Sequence, residues 1–140
     1  MHVLGTELTA QQLYDVLRLR VDVFVVEQEC AYPELDGRDL LAGTHHLWIE
    51  EHGEIQSYLR VLTEPGRFRI GRVVTAPPAR GRGLAAQLMK DALDIIGTTD
   101  STLDAQTYAR PFYEKFGYVP QGPEFLEDGI PHQTMNRHLP

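Results

Sequence analysis

Residues 79–86 read ARGRGLAA, set between the apolar run VVTAPP (73–78) and the stretch QLMKDALDII (87–96). Glycine lets a backbone approach a ligand closely and adopts torsions closed to other residues. A helix that begins at Gly83 offers unpaired N–H groups and the positive end of its dipole. Those features make an anion site, to which Arg80 and Arg82 add charge, and the turn suits a pyrophosphate. The competing reading is an ordinary strand-to-helix turn with two solvated arginines.

The rest of the chain bears on which reading holds. Its 140 residues are most simply one domain, spanning 1–140, with enough apolar content (42%) to bury a core. Thirteen Lys and Arg face twenty Asp and Glu, a net charge of −7. An acidic surface argues against nucleic acid as the main partner and favours cationic small substrates. Against that average, Arg67, Arg69, Arg72, Arg80 and Arg82 crowd one segment, as a local patch for an anionic ligand would. No apolar run reaches membrane-spanning length and MHVLGTELTA lacks signal-peptide features, so a cytoplasmic protein without a membrane partner is expected. Cys30 is the single cysteine, which excludes an intrachain disulfide and reads as structural.

Periodicity orders the elements. HVLGT (2–6) reads as a short strand, Thr9 with Gln12 as a capping box, and Leu13, Val16, Leu17, Arg20 and Phe24 as a helical face. From Val23 to Gly43 periodicity fades and Pro and Gly appear, which predicts a long loop. Such loops are usually functional, so Glu27, Glu29, Glu34, Asp36 and Asp39 are candidates to line a site or simply to solvate the loop. THHLWIEEH and EIQSYLRVLTE are strands joined at His52-Gly53-Glu54, Pro65-Gly66 marks the next turn, and FRIGRVVTA is a third strand. Leu84, Leu88, Ala92, Leu93 and Ile96 mark an amphipathic helix that ends at Gly97. STLDAQ is a strand, ARPFYEKF a short helix stopped at Gly117, and YVPQG and HQTMNRHL close the chain as strands around EDGIP. The class is α/β, a mixed sheet with helices packed on it.

Three phosphate-binding patterns compete for the turn. A P-loop needs Gly-Lys-Ser/Thr, which is absent. The dinucleotide pattern G-x-G-x-x-G/A is formally met by Gly81, Gly83 and Ala86, with Asp104 about 20 residues on. Yet Ala76-Pro77-Pro78-Ala79 separates the glycines from the strand, and too little chain follows to complete that fold. The third pattern fits: Arg80-Gly81-Arg82-Gly83-Leu84-Ala85 resembles the Arg/Gln-x-x-Gly-x-Gly/Ala signature of the GNAT (Gcn5-related) acetyltransferases. GRVVTAPP is similar to that family's central strand, and PFYEKFGY (111–118) to the segment that closes its cofactor site. VFVVEQEC-AYPELDGRD and DGIPHQTM resemble the ElaA-type branch.

The resemblance covers about the whole chain. It implies a mostly antiparallel central sheet of about six to seven strands flanked by helices, and acetyl-CoA as co-substrate without a metal. It further implies that backbone N–H groups of residues 81–85 hold the pyrophosphate and that the pantetheine arm lies along Val73, Val74 and Thr75 like an added strand. Phe112 falls in the closing segment. Where many relatives carry Asn, this chain has DAQTY, and Gln106 is the residue placed to substitute.

Acetyl transfer to an amine needs a neutral amine, donors for the carbonyl oxygen and an acid for the departing thiolate. The Val74 N–H is the expected donor and Tyr113 the expected acid, with a packing role beside Phe112 and Phe116 as the alternative for the tyrosine. Glu27, His45 and His132 are candidates for the acceptor pocket, although alternation along a strand lets at most one of His45 and His46 face it. A chain of waters in place of a base remains open. The reading is therefore an N-acetyltransferase acting on a small-molecule or peptide amine, with a homodimer compatible. The rival is a non-catalytic acyl-CoA-binding regulatory module, which would need the turn but not Tyr113.

Overall fold

The computed structural model describes residues 1–139. Strand β1 (His2–Leu4) leads to helix α1 (Ala10–Arg20). Its start follows from Thr9, whose hydroxyl accepts from the Gln12 N–H while the Gln12 side chain accepts from the Thr9 N–H, both at 3.0 Å. The helix does not give way to a loop at Val23 as the sequence suggests. It continues through Val21–Glu27 as a π-helix, with the N–H groups of Gln28 and Cys30 reaching five residues back to Val23 and Val25. Such widened turns are rare and concentrate at functional sites. Irregular chain then runs to Thr44.

Strands β2 (His45–Glu51), β3 (Glu54–Glu64) and β4 (Arg67–Thr75) form an antiparallel meander. The β2–β3 link is the two-residue loop His52–Gly53, both at positive φ, the backbone that suits the twist of a hairpin. After helix α2 (Leu84–Ile96) come β5 (Ser101–Gln106), a short helix α3 (Arg110–Glu114), β6 (Val119–Pro120), β7 (Phe125–Glu127) and β8 (Ile130–Arg137). One sheet results, in the order β1-β2-β3-β4-β5-β8-β6, with β7 added to β8. It has eight strands, against the six to seven expected. The extra one is β7, formed by residues just before the Asp128-Gly129 turn, so the closing hairpin begins earlier than the pattern of HQTMNRHL suggests.

Alternation along the strands feeds two cores. Leu47, Leu59 and Ile70 face α2, which presents Leu88, Met89, Ala92 and Ile96 to them. Trp48, Tyr58 and Val74 face the other way, toward Val16 and Val23 of the α1 segment. Helices thus cover both faces.

Two irregularities open the sheet. Tyr58 pairs with Val74 but Arg60 with Gly71, so Arg72 and Val73 of β4 stand opposite one residue of β3. Arg72 takes φ 54°, the positive value of a bulged residue. The parallel pairing of β4 and β5 consists of Phe68 with Ser101 and Arg69 with Thr102. Beyond those two pairs the strands separate.

Candidate functional site

The separation of β4 from β5 forms a cleft of about 940 Å³. Val73, Val74 and Thr75 line one wall and Leu103 and Gln106 the other. Because no strand pairs with this side of β4 past Arg69, its backbone has polar groups to offer a ligand lying in the gap. Arg80 stands where the cleft meets the turn before α2.

That turn is open. Gly81 and Gly83 take φ values of 80° and 76°, and a Cβ at either would meet nothing within 4 Å. Gly83 caps α2 with no side-chain hydrogen bond, and the first backbone bond of the helix is from the Gln87 N–H to the Gly83 carbonyl at 3.1 Å. The N–H groups of residues 83–86 therefore find no backbone acceptor among the described residues. This arrangement fits a polyphosphate: positive φ brings backbone close, and free donors point out of a helix N-terminus.

The five clustered arginines do not form the single anion patch that their spacing suggests. Arg67 and Arg69 bond Glu64, Arg69 also Asp104, Arg72 bonds Glu34, and Arg82 bonds Glu51 with both terminal nitrogens. Arg80 is held by Glu27 at 2.9 and 2.7 Å. Arg69, Arg72 and Arg80 do line one cleft, but each guanidinium of the five is already matched to a carboxylate, so clustering in the chain did not leave a free cationic patch. Acidic residues of the front segment supply several of the partners.

One of those partners, Glu34, belongs to a buried network. Arg20, wholly buried, donates to Glu34 and Asp39, each at 2.6 Å. Arg60 donates to Asp36 and, at 3.1 Å, to Asp39. Arg72 adds a 3.0 Å bond to Glu34, and the Tyr32 hydroxyl donates to the same carboxylate. His46 bonds the Tyr58 hydroxyl at 2.6 Å and the Asp39 carbonyl at 2.8 Å. Burial alone would raise the Asp36 and Asp39 carboxyls; Arg60 and Arg20 outweigh it and hold both below the ordinary range. Burial depresses His46, which favours the neutral ring. Three guanidiniums thus pin the irregular segment onto β3 and the bulge of β4, forming the wall of the cleft that includes Tyr32, Asp36, Arg60 and Arg72.

The expected site residues divide by position. Val73, Val74, Thr75, Arg80, Gln106, Tyr113, Glu27 and His132 come together on the cleft. Gly81, Gly83, Leu84 and Ala85 form the adjoining turn, and Arg82 belongs to it by its backbone while its side chain turns to Glu51. Phe112 packs edge-on against Tyr113 and Phe116, with centroids 5.1 and 5.4 Å away, and joins the core. His45 stands apart from the cleft, with Nδ1 2.8 Å from His2 Nε2 across the β1–β2 pairing, and His46 is in the buried network. Neither adjacent histidine faces the cleft, because one shares the sheet face with Phe68 and the other is consumed by packing.

Tyr113 is partly buried against the core, and its hydroxyl has no hydrogen-bond partner among the described residues. Burial, with Tyr108 and Tyr118 nearby, raises its pKa, so the phenol keeps its proton at neutral pH. Gln106 reaches Gln28 at 3.4 Å across the cleft. His132, 8% exposed, uses Nδ1 on the Ile130 carbonyl at 2.7 Å, which requires the proton on Nδ1 and leaves Nε2 of a neutral ring as an acceptor. Cys30 is buried and donates to the Asp128 carbonyl at 3.4 Å, tying the front segment to the β7–β8 turn. The sequence reading overlooked Arg60 and Tyr32. Arg60 did leave a signal: an arginine inside SYLRVL needs carboxylate partners when its strand is buried.

The model of the acetyltransferase (GNAT) domain matches residues 9–139. A UPF0039 protein of Mycobacterium tuberculosis is 49% identical over 140 residues, covering 96% of this chain and 90% of that protein. The crystal structure of an acyl-CoA N-acyltransferase from Pseudomonas aeruginosa is 42% identical with a TM-score of 0.93, covering 98% of this chain and 97% of the other. Escherichia coli ElaA superposes equally well, TM-score 0.93 at 34% identity, over 99% of this chain and 97% of its own.

Proposed function

Since the chain belongs to the GNAT acetyltransferase family, we propose that it is an acetyl-CoA-dependent N-acetyltransferase acting on a primary amine of a small molecule or peptide. The observation that carries the reading is the gap past Arg69 of β4, running toward a helix start whose donors are free. Bound acetyl-CoA supplies an acyl group activated as a thioester. Residues 83–86 would hold its pyrophosphate through backbone N–H groups, and Val73, Val74 and Thr75 its extended arm through strand-like pairing. Gln106 would fix the arm from the opposite wall.

Two protons must move. Tyr113 holds one on its phenolic oxygen, available where a thiolate would form; with a raised pKa it donates only as charge develops there, not beforehand. The amine must lose one, and Nε2 of His132, which lines the cleft and keeps a lone pair when the ring is neutral, would accept it. Glu127 Oε2, 3.6 Å away, would steady the resulting imidazolium.

Transfer of labelled acetyl from acetyl-CoA to a panel of primary amines, scored with free-thiol release, tests the assignment. Tyr113→Phe keeps the ring and removes the proton, and should lower kcat on the order of 10²-fold with little change in acetyl-CoA affinity. A wild-type protein that binds acetyl-CoA and acetylates nothing would leave a binding module; an equally active Tyr113→Phe variant would remove the tyrosine from the chemistry.

A further inference from the structure

Arg80, at the junction of cleft and phosphate turn, is engaged elsewhere. Both oxygens of Glu27 accept from its Nη2, and its Nε donates to the Thr75 carbonyl at 3.2 Å. Glu27 ends the π-helix, so the contact joins the front segment to the turn across 53 residues of chain. Both side chains line the cleft and remain 39% to 46% exposed. Like a phosphate, a carboxylate presents anionic oxygens that accept charge-assisted hydrogen bonds from a guanidinium.

We infer that Glu27 is an internal stand-in for the cofactor's phosphate, and that Arg80 passes from Glu27 to the pyrophosphate when the cofactor binds. The inference rests on the acyl-CoA reading of this site. Exchange is energetically accessible because an exposed ion pair contributes little, whereas a phosphate at the helix start also meets the free N–H groups of residues 83–86. Before exchange, Glu27 competes with the cofactor. Afterwards it is a carboxylate without a cation on the cleft wall, so loading adds one unpaired negative charge to those that Asp104, Glu127 and Asp128 already place there. This sets an order in which the cofactor enters first and a cationic acceptor second. It also explains why a turn built for an anion carries an arginine already paired.

Coenzyme A affinity, measured by calorimetry on the full chain, separates exchange from simple support. Glu27→Gln should bind coenzyme A about two- to five-fold more tightly, the size of an exposed ion pair relieved. Arg80→Gln should bind it about ten-fold more weakly, having lost a charge-assisted contact. In an Arg80→Gln background, Glu27→Gln should change affinity by less than about 1.5-fold, since nothing is left to release. Weaker binding by Glu27→Gln would show that Glu27 props Arg80 in place and would overturn the exchange. An equal gain with and without Arg80 would reduce Glu27 to simple repulsion of the phosphate and overturn it too. If wild-type protein failed to bind millimolar coenzyme A, the cofactor site itself would be refuted, and the exchange with it.

Discussion

The two flanks of the cleft use the same residue type in opposite ways. On the front flank, Arg20, Arg60 and Arg72 are neutralised by Glu34, Asp36 and Asp39. On the α2 flank, the polar groups left over are backbone N–H donors at residues 83–86, and the arginines there, Arg80 and Arg82, are half-exposed and each paired with one carboxylate. Burial explains the difference. A guanidinium out of water must be neutralised within the chain, so the buried arginines became architecture. A free helix start costs little while solvated, so it can wait for a ligand. Arginine number therefore says nothing about where an anion binds; unpaired donors do.

The largest test of that contrast is Arg20→Met, which keeps much of the volume and removes the charge. It takes one of two guanidiniums from each of the buried carboxylates Glu34 and Asp39, leaving an excess of buried negative charge, and should destabilise the fold by about 3–5 kcal/mol in urea unfolding. A loss under about 1 kcal/mol would mean that water reaches the network and that it does not pin the front segment.

On the other flank, Gly83→Glu brings a negative charge and a strained φ to the helix start. Coenzyme A affinity should fall at least about 10²-fold with far-UV dichroism retained. Intact affinity in a folded variant would sink the turn as the phosphate site.

Acidification should erode the front flank while the α2 flank has no comparable buried carboxylate. Asp36 and Asp39 are depressed in the folded protein, so their stabilisation is complete above about pH 4, the unfolded value, and is lost as pH falls through the folded values. His46, depressed by burial below its ordinary 6.5, adds a loss that starts as pH drops under 6.5, where the unfolded ring takes up its proton first. The urea midpoint should be flat above pH 7, decline slowly to pH 5 and fall steeply below pH 4. A midpoint that rose between pH 6.5 and 5 would contradict the burial of a neutral His46.

The smallest effect belongs to Arg82→Gln. Its guanidinium is occupied by Glu51, and coenzyme A affinity should change less than about three-fold. A ten-fold loss would make Arg82 a second exchangeable arginine.

Local chemistry made several features legible before any coordinates. The Thr9–Gln12 cap, the His52–Gly53 hairpin, the helix from Leu84 to Ile96 and the glycine turn at 81–83 each depend on residues adjacent in the chain. Propensity, capping and positive φ act within a few residues, so a linear reading captures them. The π-helix at Val21–Glu27 escaped it because a run of β-branched residues has no helical signature; packing of Val23 against Trp48 and Tyr58 accompanies the widened turn. Strand β7 escaped because three exposed residues carry no alternation until β8 is there to pair with them.

What the sequence determined by itself was most of the elements, their order and the kind of ligand the turn suits. Tertiary structure alone decided which charges meet. Glu27 reaches Arg80 over 53 residues and Glu34 reaches Arg72 over 38, distances at which the chain carries no record of the pairing. The same holds for the cleft: β4 and β5 part after two paired residues, and β4 then bulges at Arg72 and Val73, a feature defined only against the register of β3. Charge pairing and strand register are properties of two segments at once, so they exist only when the fold has brought those segments together.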